Sequence, residues 1–167
     1  QVGTQTFNIG ITNITYTVID ASGNPSTDSM TVTVTDDEDP FITCPSDQNV
    51  FFAANCQFTL PDYSSLASAS DNCGTSTITQ SPAPGTLISG TTVVTLTAKD
   101  NANRTSFCSF KVIPTDNTPP TANSKNITVS LSASGVVNIN ASNLDNGSTD
   151  NCGVVKYEVS PNSFNCS

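Results

Sequence analysis

Two stretches of the chain alternate apolar and polar residues with a period of two: Thr12-Asn13-Ile14-Thr15-Tyr16-Thr17-Val18 and Thr92-Val93-Val94-Thr95-Leu96-Thr97-Ala98. Successive side chains of an extended backbone point to opposite faces, so this alternation predicts strands with one buried and one solvated face. Met30 to Thr35 and Phe107 to Val112 follow the same pattern. Between each pair lies turn chemistry, Asp20-Ala21-Ser22-Gly23-Asn24 and Asp100-Asn101-Ala102-Asn103, rich in residues that tolerate left-handed backbone. No window carries a helical period. Short strands separated by such turns predict an all-β chain built as a β-sandwich. The aromatics Phe51, Phe52, Tyr63, Phe107 and Phe110 read as core residues. Within the adjacent or opposite-parity pairs Phe51-Phe52 and Phe107/Phe110, only one ring of each can face inward.

The pattern recurs when the chain is slid along itself. A shift of 80 residues lays Gly10 on Gly90, Thr12 on Thr92, Ile14 on Val94, Tyr16 on Leu96, Asp20 on Asp100, Val32 on Val112, Asp36 on Asp116 and Pro40 on Pro120. A shift of 79 lays Asp71-Asn72-Cys73-Gly74 on Asp150-Asn151-Cys152-Gly153 and Ser81-Pro82 on Ser160-Pro161. The expected organisation is therefore tandem repeats of about 80 residues: the back half of one repeat over 1–36, a complete repeat over 37–116 and the front half of a third over 117–167. A unit this small buries a limited core, so disulfides are a natural supplement.

The repeat sorts the six cysteines, Cys44, Cys56, Cys73, Cys108, Cys152 and Cys166. Cys44 and Cys108 stand near the two ends of the complete repeat. Both are missing from the flanking repeats, where Asp28 stands 80 before Cys108 and Asn123 to Asn126 cover the counterpart of Cys44. Their joint presence and absence predicts a Cys44–Cys108 bond. Cys73 and Cys152 are counterparts, and the nearest remaining cysteines, Cys56 before the first and Cys166 after the second, are their expected partners. No Cys-x-x-Cys pair occurs and no His is present, which disfavours a zinc site. Six paired cysteines imply an oxidising, extracellular compartment. The first residues lack the basic and apolar regions of a signal peptide, and the chain opens and closes in mid-pattern, as a segment of something longer would.

Composition narrows the chemistry. The 167 residues include 25 Thr, 22 Ser and 18 Asn, no His, no Trp, 14 acidic and 5 basic side chains, for a net charge of -9. The missing His removes the usual general base near neutral pH and the activator of Ser or Cys nucleophiles. Five scattered basic residues cannot supply the phosphate contacts of a nucleic-acid binder. Apolar runs of a few residues fall far short of the ~20 that span a bilayer. A glycosidase needs two acids at a set separation in a cleft, and these acids lie in turns and joints with no Trp to stack a sugar. No enzyme is read here.

Asp39-Pro40-Phe41-Ile42-Thr43-Cys44-Pro45, Asp71-Asn72-Cys73-Gly74, Pro84-Gly85-Thr86, Gly90-Thr91-Thr92-Val93-Val94, Asp100-Asn101-Ala102-Asn103 and Cys108-Ser109-Phe110-Lys111-Val112 together resemble the hyalin repeat (HYR) domain. The resemblance covers 37–116 fully and the flanking stretches in part. Gly147-Ser148-Thr149-Asp150-Asn151-Cys152-Gly153 resembles repeats of very large surface adhesins of gliding Bacteroidetes. These likenesses imply immunoglobulin-like sandwiches in tandem, at the cell surface, in proteins of adhesion or gliding motility exported by the type IX route. The implied partners are neighbouring repeats, surface glycans or other cell-surface proteins. Asp28-Ser29-Met30 resembles the short O-glycosylation motif of that bacterial group, which implies Ser29 as an acceptor; a turn leading into a strand reads equally well there. One departure from the pattern concerns the turn before Phe107: Asn103 replaces the usual Gly and Arg104 the usual Asn. Asn tolerates left-handed backbone, so the turn is expected to survive.

The acidic run Asp36-Asp37-Glu38-Asp39 falls at the first repeat junction and Asp116 at the second, each followed by proline at Pro40 or at Pro119 and Pro120. Grouped carboxylates can hold calcium, which takes 6–8 oxygen ligands in flexible geometry. The expected ligand set is Asp36, Asp37, Asp39, Asp71, Asp100 and Asp116. Asp and Asn are also ordinary turn residues, and an acidic linker is commonly just solvated. The leading functional expectation is a structural stalk or filament segment of an adhesin, with a glycan- or protein-binding module of a secreted protein or hydrolase as the rival.

Overall fold

The computed structural model describes residues 6–154 and 156–166. Twelve strands occur among them: β1 (Gly10–Ile19), β2 (Pro25–Val34), β3 (Phe41–Thr43), β4 (Gln48–Phe51), β5 (Phe58–Thr59), β6 (Ser68–Ser70), β7 (Thr77–Ser81), β8 (Leu87–Ile88), β9 (Thr92–Lys99), β10 (Thr105–Thr115), β11 (Val136–Asn138) and β12 (Ser163–Asn165). The only helical elements among the described residues are two single 3-10 turns, Ser64–Leu66 and Ala141–Asn143. The protein is all-β. Its described residues pack as two compact units, one made of 6–46, 62–84 and 93–110, the other of 47–61, 85–92, 111–154 and 156–166.

In the first unit, β1 and β2 form an antiparallel hairpin in register from Gly10 opposite Val34 to Ile19 opposite Pro25. The strand begins at Pro25, five residues before the alternation from Met30 becomes visible, because Ser26, Thr27, Asp28 and Ser29 carry no apolar partner to mark a face. Further along, β7 pairs antiparallel with β9, and β10 lies on the other side of β9. The pair β3–β6 forms a separate short ladder, Phe41 opposite Ser70. The core is the inward row of β9, Val94, Leu96 and Ala98, with Ile42, Tyr63 and Phe110. Tyr63 meets Phe110 edge to face at 5.2 Å between ring centres, the arrangement the ring quadrupoles favour. The parity argument holds on β10: Phe110 is 4% exposed and Phe107 76%.

The hairpin β1–β2 carries the same alternation as β9–β10 without the burial. Tyr16 is 61% exposed where its counterpart Leu96 is fully buried, and Met30 is exposed where Phe110 is core. A lone two-stranded ribbon has no second layer to cover its apolar row.

In the second unit, the C-terminal end of β10 pairs in parallel with β4, Val112 opposite Gln48 through Thr115 opposite Phe51. The Lys111 N–H donates to Asp47 Oδ1 at 2.7 Å and the Phe52 N–H to the Thr115 carbonyl at 3.0 Å, which fixes this register at both ends. Strand β5 pairs with β8 and β11 with β12, both antiparallel. Leu60, Ile88, Val112 and Pro114 are buried there.

Candidate metal centre

Asp100 follows the last residue of β9 and opens the turn to β10. The turn closes with the Asp100 N–H donating to the Arg104 carbonyl (3.2 Å) and the Asn103 N–H to the Asp100 carbonyl (3.4 Å). Asn103 takes φ +71, the left-handed conformation that Gly23 takes at φ +89 in the first hairpin, so the turn does survive its substitution. The Asp20 turn uses the same two backbone bonds, Asp20 N–H to Asn24 carbonyl and Gly23 N–H to Asp20 carbonyl, both 3.0 Å.

The side chains of the two turns differ. Asp20 is fully engaged: Oδ1 accepts from the N–H groups of Ser22 (2.9 Å) and Asn24 (2.8 Å), and Oδ2 accepts from Asn24 Nδ2 (2.9 Å). The Asn24 side chain first, then its backbone N–H, hold the Asp20 carboxyl below its ordinary pKa. In the second turn Arg104 replaces that Asn. Its N–H still donates to Asp100 Oδ1 at 2.8 Å, but its guanidinium turns away to Asp39, Nε to Oδ1 at 2.8 Å. Asp100 Oδ2 is consequently buried with no hydrogen-bond partner, on a residue only 6% exposed.

Asp71 follows β6. Its Oδ1 caps its own loop by accepting the Cys73 N–H at 2.8 Å, while Oδ2 is buried and unpartnered. The loop closes through an Asp71–Gly74 bridge, and Gly74 (φ +145) lies so close to Asn101 that a Cβ there would sit 2.9 Å from Asn101 Nδ2. Asn72 Nδ2 donates to Glu38 Oε2. Asp36, just beyond β2, accepts the Glu38 N–H on Oδ1 at 3.3 Å. These contacts bring Asp36, Asp71 and Asp100 together, with one carboxylate oxygen from each inside a span of 4.8 Å.

Three of the six expected ligands thus converge. Asp37, Asp39 and Asp116 stand outside this cluster. Asp39 is neutralised by Arg104, and Asp116 accepts the Thr118 N–H at 3.0 Å in a turn of its own. What the arrangement can do chemically follows from its donors: two buried carboxylate oxygens without hydrogen bonds, held beside a third acid, are hard oxygen donors of the kind a divalent cation takes. Arg104 is the residue whose role was not legible in sequence. It shows there as a departure from the turn pattern, which points to the turn and not to the acids on either side.

Cys73 stands at the rim of this cluster, exposed and unbonded. Partial desolvation first, then the charges of Asp36, Asp71, Glu38 and Asp100, push its thiol above its ordinary pKa. The disulfides are Cys44–Cys108 and Cys56–Cys152, and Cys166 is free and exposed like Cys73. The expected pairs Cys56–Cys73 and Cys152–Cys166 are therefore corrected. Cys56 lies in the turn that follows β4, where the Asn151 side chain donates to the Ala53 carbonyl and brings the Cys152 loop to it within the second unit, whereas Cys73 belongs to the first.

Ser29 lies within β2, exposed and opposite Thr15, in mid-strand and not at a strand start. No helix among the described residues is long and apolar enough to cross a membrane.

No model of a known protein family matches the chain. The chain is similar to hyalin of Lytechinus variegatus: 35% identity over an aligned stretch of 126 residues, covering 70% of this chain. The match spans 23% of the hyalin chain, so this protein corresponds to about a quarter of that relative's length.

Proposed function

We propose that this chain is a structural segment of an extracellular cell-surface adhesin, a stalk of tandem immunoglobulin-like sandwiches whose joint at Asp36 binds calcium. The observation that carries the stalk reading is the return of the same hydrogen-bonded loops at the repeat spacing. The Asp20 and Asp100 turns share their backbone bonds, and Asp71 and Asp150 each accept the N–H two residues on, Cys73 and Cys152, at 2.8 Å. Two disulfides fit an oxidising compartment, and the similarity to hyalin accords with the hyalin-repeat resemblance. Proline at Pro40, Pro119 and Pro120 restricts the backbone at both joints, which favours fixed angles between repeats. The work of such a segment is spacing and stiffness. It carries no catalysis, and its standing partners are the repeats before and after it. An adhesin of the gliding-motility kind is the setting that the Gly147 to Gly153 stretch favours.

Small-angle scattering on the chain in calcium and in chelator tests this reading. An elongated particle in calcium that becomes more flexible in chelator is expected. A compact or freely jointed particle in both conditions overturns the stalk and favours a module that binds glycan or protein through its loops.

A further inference from the structure

Two turns at the repeat spacing are built alike. In Ala53–Gln57 the Ala53 N–H donates to the Gln57 carbonyl (2.8 Å) and the Cys56 N–H to the Ala53 carbonyl (3.0 Å). In Ser132–Val136 the Ser132 N–H donates to the Val136 carbonyl (3.1 Å) and the Gly135 N–H to the Ser132 carbonyl (2.9 Å). Cys56 and Gly135 hold the same place, both at positive φ (+55 and +74). A Cβ built on Gly135 would lie 3.2 Å from Cys166 Sγ. Both turns therefore carry a sulfur beside this position. In one the turn residue supplies it, and in the other it comes from the end of β12, whose Asn165 pairs with Val136.

The Asp-Asn-Cys-Gly loops are likewise a pair, with Cys73 and Cys152 in matching positions. One turn and one loop are already joined. Cys56 is bonded to Cys152, and Asn151 Nδ2 donates to the Ala53 carbonyl at 3.3 Å beside the bond. In the repeat register this bond runs from the turn of one repeat to the loop of the next. What is left over is one loop sulfur, Cys73, and one turn sulfur, Cys166, both exposed and unbonded.

We infer that Cys73 and Cys166 are the two open halves of this same joint, each bonding the matching sulfur of a neighbouring repeat, so that separate copies of this chain also bond head to tail through them. The partner is a second copy of the repeat: Cys166 takes the Asp-Asn-Cys-Gly loop of the copy that follows, and Cys73 takes the turn sulfur of the copy that precedes. The step is a thiol–disulfide exchange with a small-molecule disulfide such as oxidised glutathione. One protein thiolate attacks it and expels a glutathione thiolate, and the second protein thiolate then displaces the other glutathione. A Cys73–Cys166 bond forms, the glutathione disulfide breaks, and two electrons and two protons leave on two reduced glutathiones. The inference rests on the tandem-repeat reading above and adds to it a covalent link at every joint.

The test uses the 167-residue chain, concentrated in a glutathione redox buffer, with non-reducing electrophoresis and mass mapping of the bridged peptides. A ladder is expected, with Cys73–Cys166 peptides linking chains and Cys56–Cys152 intact in every band. Cys73→Ser alone and Cys166→Ser alone should each lose at least tenfold in multimer. Mixing the two variants should restore one dimer joined through the remaining Cys73 and Cys166. Dimers forming as readily from either variant alone, or a Cys73–Cys166 bond within one chain, would overturn the inference. A monomer that keeps Cys56–Cys152 and forms no ladder overturns the joint while leaving the repeats standing. A Cys56–Cys73 bond overturns the joint together with the repeat-to-repeat order on which it rests.

Discussion

Replacing Asp100 by Asn separates a cation site from an acidic turn, because the two readings predict opposite signs. Asp100 contributes a buried, unpartnered Oδ2 and sits with Asp36 and Asp71 inside a 4.8 Å span. Two unit charges at that distance repel by about 1 kcal/mol in water-like surroundings and by about 3.5 kcal/mol at an effective dielectric of about 20. In chelator, removing one charge of three therefore leaves stability unchanged or raises it by about 1 kcal/mol. The Asn still offers an oxygen to the Arg104 N–H, so the turn is kept. In calcium the comparison reverses. A site in the range of about 10⁻⁴ M, ordinary for extracellular modules, stabilises the folded state at 10 mM calcium by about 2.7 kcal/mol. For a chain of this size that is about 5–10 °C in Tm, at roughly 2–4 °C per kcal/mol. Thermal unfolding followed by circular dichroism, in 10 mM calcium and in chelator, reads both effects. The unaltered chain should shift by that amount and Asp100→Asn by under about 2 °C, while Asp116→Asn, outside the cluster, should keep the full shift. Equal Tm in calcium and chelator for the unaltered chain, or an undiminished shift in Asp100→Asn, refutes the site.

Arg104→Asn restores the residue of the first hairpin, whose amide would cap Asp100 Oδ2 as Asn24 caps Asp20 and would release Asp39; calcium affinity by titration calorimetry should fall about tenfold with no loss of stability in chelator. Replacing Cys44 and Cys108 together by Ser opens a bridge that spans 64 residues and should lower unfolding free energy in denaturant by about 4 kcal/mol in the chain-entropy account. The Asp20 carboxyl is held below its ordinary pKa by the Asn24 side chain, and that of Asp145 by Ser148. A depressed folded pKa contributes stability that is present above the unfolded value of about 3.9 and is lost as pH falls through the folded value. Tm should accordingly drop below about pH 4, and Asp20→Asn should show a shallower drop over that range.

The four long strands β1, β2, β9 and β10 were legible because 8 to 11 residues give a two-residue period room to repeat. Strands β3 to β6 and β8 run for two to four residues, too few for any period, so the burial of Ile42, Leu60 and Ile88 could not be read. The acids show the same division. Their presence at turns and joints is local information, but which of them meet is not. Asp39 was lost to the cluster through Arg104, 65 residues away, and Asp36 was brought to Asp100 by the hydrogen-bonded loop at Asp71. The cysteines sharpen the point. A turn sulfur bonded to the loop sulfur of its own repeat and one bonded to the loop of the next repeat leave identical traces in the sequence, because both obey the 79-residue register. The choice between them depends on where the turn lies along β10. That is settled by the parallel pairing of β4 with its last residues, which seats Ala53–Gln57 in the second unit, where the Cys152 loop meets it, while the Asp71 loop belongs to the first. Parallel pairing between segments some 64 residues apart carries no local signal. The 79-residue spacing could therefore be read from the residues, while the direction in which its turns and loops are stapled had to come from the fold.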